Sequence, residues 1–353
     1  MNQRKNRFSP LISNLEKLIY INSPSGYENE VFEFFKSNLS DYNLKTWSDE
    51  RNAFGIIGNL KNDKPRILIS AHGDEICMLV KSITEDGFIT ITENTGFKKV
   101  LPGLEVVVKG RKDIPAVIGS KPPHLLSAGE TAKLNPIDGL LVDTGLSRAE
   151  VVEFVSVGDP VLYKKQFLEL KNSRFAGAGI DNKVSVAILI ELAKKLANVN
   201  LPVNLIFACT SFEEIGSMGA SLAFENIKPD MALTIDTFSA NQFGNKTLND
   251  SEIINNLHIG NGALMNQEIS DALFETAKNL KIKTNNMIFE GLGGEIKKYI
   301  FTDLGCPSGI LSLPIRNLHQ PVEMFDANMA YDCISLLDEF LRGIPENLKG
   351  LMA

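Results

Sequence analysis

Histidine and cysteine are scarce in this chain, and it has no long apolar run. Its 353 residues include four histidines and four cysteines, and no two cysteines form a Cys-x-x-Cys pair. This spacing argues against a zinc–thiolate site and favours free thiols in a reducing cytoplasm. No segment approaches the roughly 18 apolar residues of a membrane span, and the first residues lack the apolar core of a signal peptide. The formal charge of −7, with one short basic run at 109–112, argues against nucleic-acid binding.

The length and the residue pattern predict two domains. Residues 10–20 and 27–38 have helical spacing, and helical segments alternate with apolar strand-like runs after residue 180. Residues 76–166 consist instead of short alternating segments broken by glycine and proline, which is typical of β-structure. We therefore predict an α/β domain (residues 1–75 and 167–353) whose central, mostly parallel sheet is flanked by helices. A small β-barrel-like domain (76–166) is predicted to interrupt it.

Two adjacent acids, Glu213 and Glu214, follow the apolar run at 205–209. Like charges at the end of a buried strand are costly unless a cation neutralises them. In an extended backbone, adjacent side chains point to opposite sides, so the two acids are expected to act differently. One can bind metal while the other faces the substrate as the general base that activates a metal-bound water.

Further candidates at or just past the ends of predicted strands are His72, Asp74, Asp236 and His319, and Asp181 opens a predicted helix after a loop. Taken singly, each has an ordinary explanation, such as a helix N-cap for Asp181 or a loop residue for His319. Taken together, two imidazoles and three carboxylates can hold two divalent ions if one carboxylate bridges them. Mixed imidazole and carboxylate ligands favour zinc, cobalt or manganese.

Several segments carry a family resemblance through most of the chain: SPSGYE (23–28), AHGDE, VIGSKPPHLL (117–126), IDNKV, EEIGSMGA, IDTF and LPIRNLHQPVEM. They resemble the dinuclear metallo-aminopeptidases of the glutamyl-aminopeptidase or tetrahedral aminopeptidase type, some of which were labelled endoglucanases. The acid and histidine motifs alone also fit the wider group of co-catalytic zinc peptidases and deacylases. The VIGSKPPHLL segment, inside the β-rich block, favours the narrower family.

The resemblance implies two metal sites that share one ligand. One ion would be held by His72, Asp181 and Asp236, and the other by Asp181, Glu214 and His319. Zinc is the first choice for both, with cobalt or manganese as alternatives.

The resemblance also implies roles for residues beside the ligands. Glu213 would be the general base, and Asp74 would orient His72. His124, in the inserted block, would be structural, whereas His258 matches no motif.

The chain departs from the family pattern near residue 295. The family usually has Gly-Gly-Thr-Asp-Ala, but this chain reads GLGGEIKKYIFTD, with Glu295 and Ile296 in place of Thr and Asp. If Glu295 lines the substrate pocket, its charge favours basic or neutral leading residues over acidic ones. The alternative is a surface charge paired with Lys297 or Lys298.

These observations predict a cytoplasmic metallo-aminopeptidase that removes N-terminal residues from peptides. Relatives in this family build hollow twelve-subunit tetrahedra, so a large homo-oligomer is expected, with contacts through the inserted domain. A deacylase or deblocking enzyme on the same metal centre is an open alternative. A glycosidase explains paired acids but not the strand-end histidines, and a non-enzymatic assembly protein gains little from buried acids.

Overall fold

Two units divide the chain in the computed structural model, which describes residues 2–93, 102–120, 124, 140–240, 256–288, 294–344, 348 and 350. The first unit comprises Met1–Asp74 and Gln166–Ala353, and the second comprises Glu75–Lys165. The first holds an eight-stranded sheet and a three-stranded sheet, and the second holds a closed barrel. The predicted fold class, an α/β sheet interrupted by a small barrel, is confirmed.

In chain order, the described elements are α1 (Asn2–Tyr20), α2 (Asn29–Ser40), β1 (Lys45–Ser48), β2 (Asn52–Ile57), β3 (Arg66–His72), β4 (Met78–Ile83), β5 (Ile89–Glu93), β6 (Glu105–Lys109), β7 (Asp113–Ser120), β8 (Leu140–Asp143), α3 (Arg148–Phe154), β9 (Pro160–Tyr163), β10 (Phe167–Glu169), β11 (Arg174–Gly177), α4 (Ile180–Leu196), β12 (Asn204–Thr210), α5 (Met218–Ile227), β13 (Met231–Ser239), β14 (Leu257–Asn261), α6 (Gln267–Leu280), β15 (Thr284–Ile288), α7 (Ile296–Phe301), β16 (Ser308–Ile315), β17 (Glu323–Asp326) and α8 (Ala327–Arg342). Within the described residues, no helix is long and apolar enough to cross a membrane.

The large sheet has the strand order β1-β2-β12-β3-β13-β16-β14-β15. Its central strands β12, β3, β13 and β16 are parallel neighbours, whereas β1, β2 and the β14–β16 contact are antiparallel. The central strands are apolar runs because both faces of the sheet are covered. Their parallel direction brings their carboxyl ends to one edge, which is where open α/β sheets place functional sites.

Helix α4 packs against the sheet and against α1 and α8. Its side chains are buried on almost every side, which explains why its sequence is apolar all round rather than amphipathic. Ile188, Leu189 and Leu192 are fully buried, and each contributes about 1.5–3 kcal/mol of transfer free energy. The beginning of α4 is thereby fixed at the sheet edge.

The second unit is a closed barrel with the strand order β4-β5-β8-β7-β6-β9. Strand β6 shows the alternation that a barrel requires, since Val106 and Val108 are buried while Val107 is only partly so. Glu75 and Lys165 form a buried ion pair within this unit. Of the VIGSKPPHLL segment, residues 121–123 and 125–126 lie outside the described residues.

Candidate metal centre

The candidate side chains converge at the carboxyl edge of the large sheet. Strand β3 ends at His72, β13 carries Asp236, and β12 leads into the turn with Glu213 and Glu214. The loop after β16 contributes His319, which has a positive φ of 59°. Because these strands are parallel neighbours, residues far apart in sequence come together here.

Asp181 lies between the two histidines. The Nε2 atom of His72 lies 3.4 Å from Oδ1 of Asp181 and 3.6 Å from Oδ1 of Asp236. The Nε2 atom of His319 lies 3.1 Å from Oδ2 of Asp181 and 3.5 Å from Oε2 of Glu214. Each oxygen of Asp181 therefore faces a different group of side chains.

Among the described residues, three groups of side chains bring potential ligand atoms within 4.8 Å of one another. Two of them, His72–Asp181–Asp236 and Asp181–Glu214–His319, share Asp181. The third combines His72 with Glu213 and Glu214. Oε1 of Glu214 is buried and has no hydrogen-bond partner among the described residues. A buried carboxylate oxygen without a donor, surrounded by nitrogen and oxygen ligands, fits a divalent cation.

Burial is the largest single influence on the pKa values of these acids. It raises the pKa of Glu213 to about 8 and raises the pKa of Glu214 well above its usual range. Burial also opposes ionisation of Asp181, but hydrogen bonds from His319 and His72 outweigh it and lower the pKa of this carboxyl. Burial disfavours a charged His72 as well, yet hydrogen bonds to the neighbouring carboxylates, Asp181 first, raise its pKa well above the ordinary value. Of these three acids, only Asp181 is thus held in its charged form by the two histidines, and a bound cation would favour the charged forms of Glu213 and Glu214.

Asp74 is fully buried beside His72 and accepts hydrogen bonds from several neighbouring groups. Its Oδ1 accepts the backbone N–H of Glu213 at 3.0 Å, and its Oδ2 accepts that of Glu214 at 3.2 Å. The Ser25 hydroxyl also donates to Oδ2, at 2.7 Å. Nδ1 of His72 lies 3.1 Å from the Asp74 carbonyl oxygen and 3.4 Å from Oδ1. Asp74 therefore contacts both His72 and the turn that carries the two glutamates.

The expected extended backbone at Glu213 and Glu214 is wrong, because both residues lie in a turn. The turn is closed by the Ser217 N–H, which donates to the Phe212 carbonyl oxygen at 2.6 Å. Gly219 then packs on Ser211, where an added Cβ would lie 2.4 Å from the backbone oxygen. The two glutamates differ in exposure: the Glu213 side chain is 15% exposed and that of Glu214 only 5%.

Two buried acids without an assigned role hold the backbone around the centre. Glu323 accepts the N–H of Asp181 through one carboxylate oxygen and that of His319 through the other, both at 2.9 Å. Glu28 accepts the N–H of Phe212 at 3.3 Å. Sequence reasoning missed both roles, although each residue lies in a segment that carries the family resemblance.

Glu295 is fully buried, so its predicted alternative as a surface charge paired with Lys297 or Lys298 is wrong. Its Oε2 accepts the Ser70 hydroxyl at 2.8 Å, and its Oε1 accepts the Thr210 hydroxyl. Burial raises the pKa of Glu295 to about 7. Direct contact with a substrate stays a prediction, and both carboxylate oxygens already have partners.

The two remaining histidines lie outside this cluster. His124 is exposed. His258 is buried beneath Phe238, with ring centroids 4.5 Å apart, and its Nε2 accepts a hydrogen bond from the Asn285 amide at 3.2 Å. Burial lowers the pKa of His258 to about 4, so its ring is neutral at physiological pH.

Comparison with known proteins identifies the family. A sequence model of the M42 glutamyl aminopeptidases matches residues 52–336. The chain belongs to this family. Over 347 residues this M42 enzyme is 27% identical to the glutamyl aminopeptidase of Lactococcus lactis subsp. cremoris, with 96% of each chain covered. Membership establishes a peptide hydrolase and implies divalent cations.

Solved structures resemble this M42 chain over nearly its full length. A TET aminopeptidase from a marine sediment archaeon, Thaumarchaeota archaeon SCGC AB-539-E09, matches with a TM-score of 0.89 at 25% identity, covering 97% of this chain and 99% of that one. The TET1 peptidase of Pyrococcus horikoshii matches with a TM-score of 0.81 at 28% identity, covering 94% and 99%. That peptidase can assemble into a tetrahedron or a large octahedral shell.

Proposed function

We propose that this M42 enzyme is a dinuclear metal-dependent aminopeptidase that removes N-terminal residues from peptides. The observation that carries the proposal is the pair of ligand groups joined by Asp181, whose two oxygens lie 3.4 Å from His72 and 3.1 Å from His319. Zinc is the first choice for both ions because two imidazoles and three carboxylates form the donor set, with cobalt or manganese as alternatives.

The ligands divide into two sets. His72, Asp181 and Asp236 would hold one cation, and Asp181, Glu214 and His319 would hold the other. We prefer this division to the grouping of His72 with both glutamates, because Oε2 of Glu213 lies 4.0 Å from His72, farther than either aspartate. Glu214 also lies 3.5 Å from His319 and has an oxygen without a hydrogen-bond donor among the described residues.

Glu213 acts as the general base. When bound, the two cations polarise the scissile carbonyl and lower the pKa of coordinated water. Glu213 accepts a proton from the attacking water and delivers it to the nitrogen of the leaving amine. It suits this role better than Glu214 because its side chain is the more exposed of the two and so reaches a substrate. Asp74 keeps the Glu213 backbone in place through its N–H.

Metal removal and Glu213→Gln test the proposal together. The purified protein should contain up to two equivalents of metal, lose activity on aminoacyl chromophores after chelation, and regain it with zinc or cobalt. Glu213→Gln should retain its metal but lose about 10²–10⁴-fold in kcat, because only proton transfer is removed. Glu225→Gln, at an exposed position of α5, is the matched control and should have the metal content and kcat of wild type.

Two results would overturn the assignment. Full activity in protein shown by elemental analysis to be metal-free contradicts a metal-dependent mechanism. Hydrolysis of N-acetylated substrates in preference to those with a free amino terminus would assign a deacylase activity on the same centre.

We further propose a large homo-oligomer, with the inserted block at 76–166 contributing to subunit contacts or substrate access. The TET1 peptidase of Pyrococcus horikoshii, whose fold covers nearly all of this chain, supports the proposal. Light scattering at micromolar concentration should give a mass of many subunits, and a monomer contradicts the proposal.

All four cysteines lie within the described residues and are free, which supports the proposed cytoplasmic localisation.

A further inference from the structure

Glu295 is a buried acid that the proposed mechanism leaves unused. It directly precedes α7 and is 0% exposed. The neighbouring Gly294 lies against the metal centre, since an added Cβ there would be 3.4 Å from Oδ2 of Asp236. An isolated buried carboxylate is destabilising, so its presence needs partners that use both of its oxygens.

Those partners come from two different strands. Ser70 on β3 donates its hydroxyl to Oε2 at 2.8 Å, and Thr210 at the end of β12 donates its hydroxyl to Oε1. In the β3–β12 register Thr210 is the direct partner of His72. Ser70 lies two residues before His72, on the same face of β3. The Glu295 carboxylate therefore joins the end of β3, which carries His72, to the end of β12, which leads into the turn with Glu213 and Glu214.

A glutamate fits this position because its carboxylate provides one acceptor for each hydroxyl. Only a carboxylate offers two acceptor oxygens, one for each strand, whereas the glutamine amide has one acceptor and one donor group. A threonine, which the family resemblance leads us to expect at this position, is shorter than glutamate and presents a single oxygen. The two hydroxyls would then lose their buried acceptor.

We infer that Glu295 is a positioning residue that sets the separation of His72 from the Glu213 turn by accepting the Ser70 and Thr210 hydroxyls. The inference rests on the proposed dinuclear mechanism, because the distance it fixes matters only if His72 holds a cation and Glu213 transfers a proton. Both carboxylate oxygens of Glu295 are already taken by the two hydroxyls, so a positioning role needs no contact with a cation or a substrate. Its effect passes through the strand ends, so it should alter the rate of the chemical step equally for every substrate.

The test compares Glu295→Thr and Glu295→Gln with wild type. Glu295→Thr should lower kcat by about 10–100-fold, because small misplacements of catalytic groups have effects of this size, while KM changes by less than about threefold. The kcat of Glu295→Gln should lie between those of wild type and Glu295→Thr, since glutamine keeps one acceptor oxygen. The lysyl-to-glutamyl ratio of kcat/KM should stay as in wild type. A shifted ratio would instead make Glu295 a substrate-contacting residue and overturn the inference.

A second readout follows the centre without turnover. Metal-stripped protein is titrated with Co²⁺ alone, and the visible absorption of the bound ion reports the ligand geometry. Glu295→Thr should change the position or intensity of these bands, whereas the exposed control Glu225→Gln should leave them unchanged. A folded Glu295→Thr protein with wild-type kcat and a wild-type Co²⁺ spectrum would refute the positioning role.

Ser70→Ala and Thr210→Val complete the design. If the hydroxyls act through Glu295, each change should lower kcat in the wild-type background and have little further effect in Glu295→Thr, which offers neither hydroxyl its acceptor. Additive effects would contradict the inference. If Glu295→Thr does not fold, Glu295→Gln and Ser70→Ala decide the question. If wild type has no peptidase activity, the proposed function fails, while the Co²⁺ spectra still test the positioning role.

Discussion

Replacing Asp74 with asparagine tests whether this carboxylate holds the turn that carries both glutamates. Each oxygen of Asp74 accepts one backbone amide, from Glu213 at 3.0 Å and from Glu214 at 3.2 Å. Asparagine keeps the shape of the side chain, but one oxygen becomes an NH₂ group, which can only donate. The variant can therefore serve one amide and must leave the other without an acceptor.

The size of the effect follows from the lost interaction. A hydrogen bond to a charged group contributes about 1.5–3 kcal/mol, and each 1.4 kcal/mol changes an equilibrium constant about tenfold. Local opening of the turn should therefore become about 10–100-fold more populated in Asp74→Asn. Because opening of a short turn is local, the rest of the chain should keep its stability.

Amide hydrogen exchange measured by mass spectrometry is the assay. Peptides spanning residues 211–217 should exchange about 10–100-fold faster in Asp74→Asn at the same pH and temperature. Peptides from the Glu75–Lys165 unit should be unchanged. Ser25→Ala removes the hydroxyl that donates to Oδ2 but leaves both amide acceptors, so it should change the exchange of this turn much less. Wild-type exchange at 211–217 in Asp74→Asn would refute the anchoring role and leave orientation of His72 as its function.

Three further predictions concern the ligands, a buried histidine and a buried ion pair. Glu214→Gln should lower metal content by about one equivalent relative to Glu213→Gln when both are measured by elemental analysis, and the reverse order would exchange the roles of the two acids. The folded pKa of His258 lies near 4, below the 6.5 of an unfolded histidine, so its contribution to stability is present above pH 6.5 and is lost as pH falls toward 4. Between pH 7.5 and 5.5 wild type should lose about 1 kcal/mol more unfolding free energy than His258→Gln, as measured by urea denaturation, and parallel pH profiles would contradict this. Glu75→Gln leaves Lys165 as a buried, unpaired charge and should destabilise the barrel by about 3–5 kcal/mol. Glu105→Gln breaks an exposed pair with Lys164 and should destabilise it by at most about 1 kcal/mol. Equal shifts in melting temperature for the two variants would count against burial as the cause.

The central strands could be predicted from sequence because their apolar runs end where polar residues begin. The apolar run in RILISAH lies within β3, Arg66–His72, and the run in MALTIDTF lies within β13, Met231–Ser239. Short edge strands were missed, such as β1 and β15, whose side chains are mostly exposed or half-buried and so lack a clear pattern. Helix α5 was also missed, since the glycines and small residues before it indicate a turn rather than a helix.

The acids that hold the backbone could not be predicted from local sequence. Glu28 accepts the Phe212 amide across 184 residues of chain, and Glu323 accepts that of Asp181 across 142. No periodicity or spacing encodes such pairs, because strand order and register create them. Glu295 shows the same limit: EIKK reads as a mixed surface charge cluster, yet the start of α7 places this carboxylate under the ends of two strands.

The acids of this centre separate into two classes by the donors that they face. Asp74, Glu28 and Glu323 accept backbone N–H groups from the surrounding turns, and Glu295 accepts two hydroxyls. These carboxyl groups thereby hold neighbouring protein groups in place. Asp181 and Glu214 instead direct side-chain oxygens toward histidine rings, and a Glu214 oxygen has no donor among the described residues. Burial raises the pKa of Glu28, Glu295 and Glu323, and also that of Glu214. A bound cation would therefore stabilise the charged form of Glu214, one of whose oxygens has no donor among the described residues.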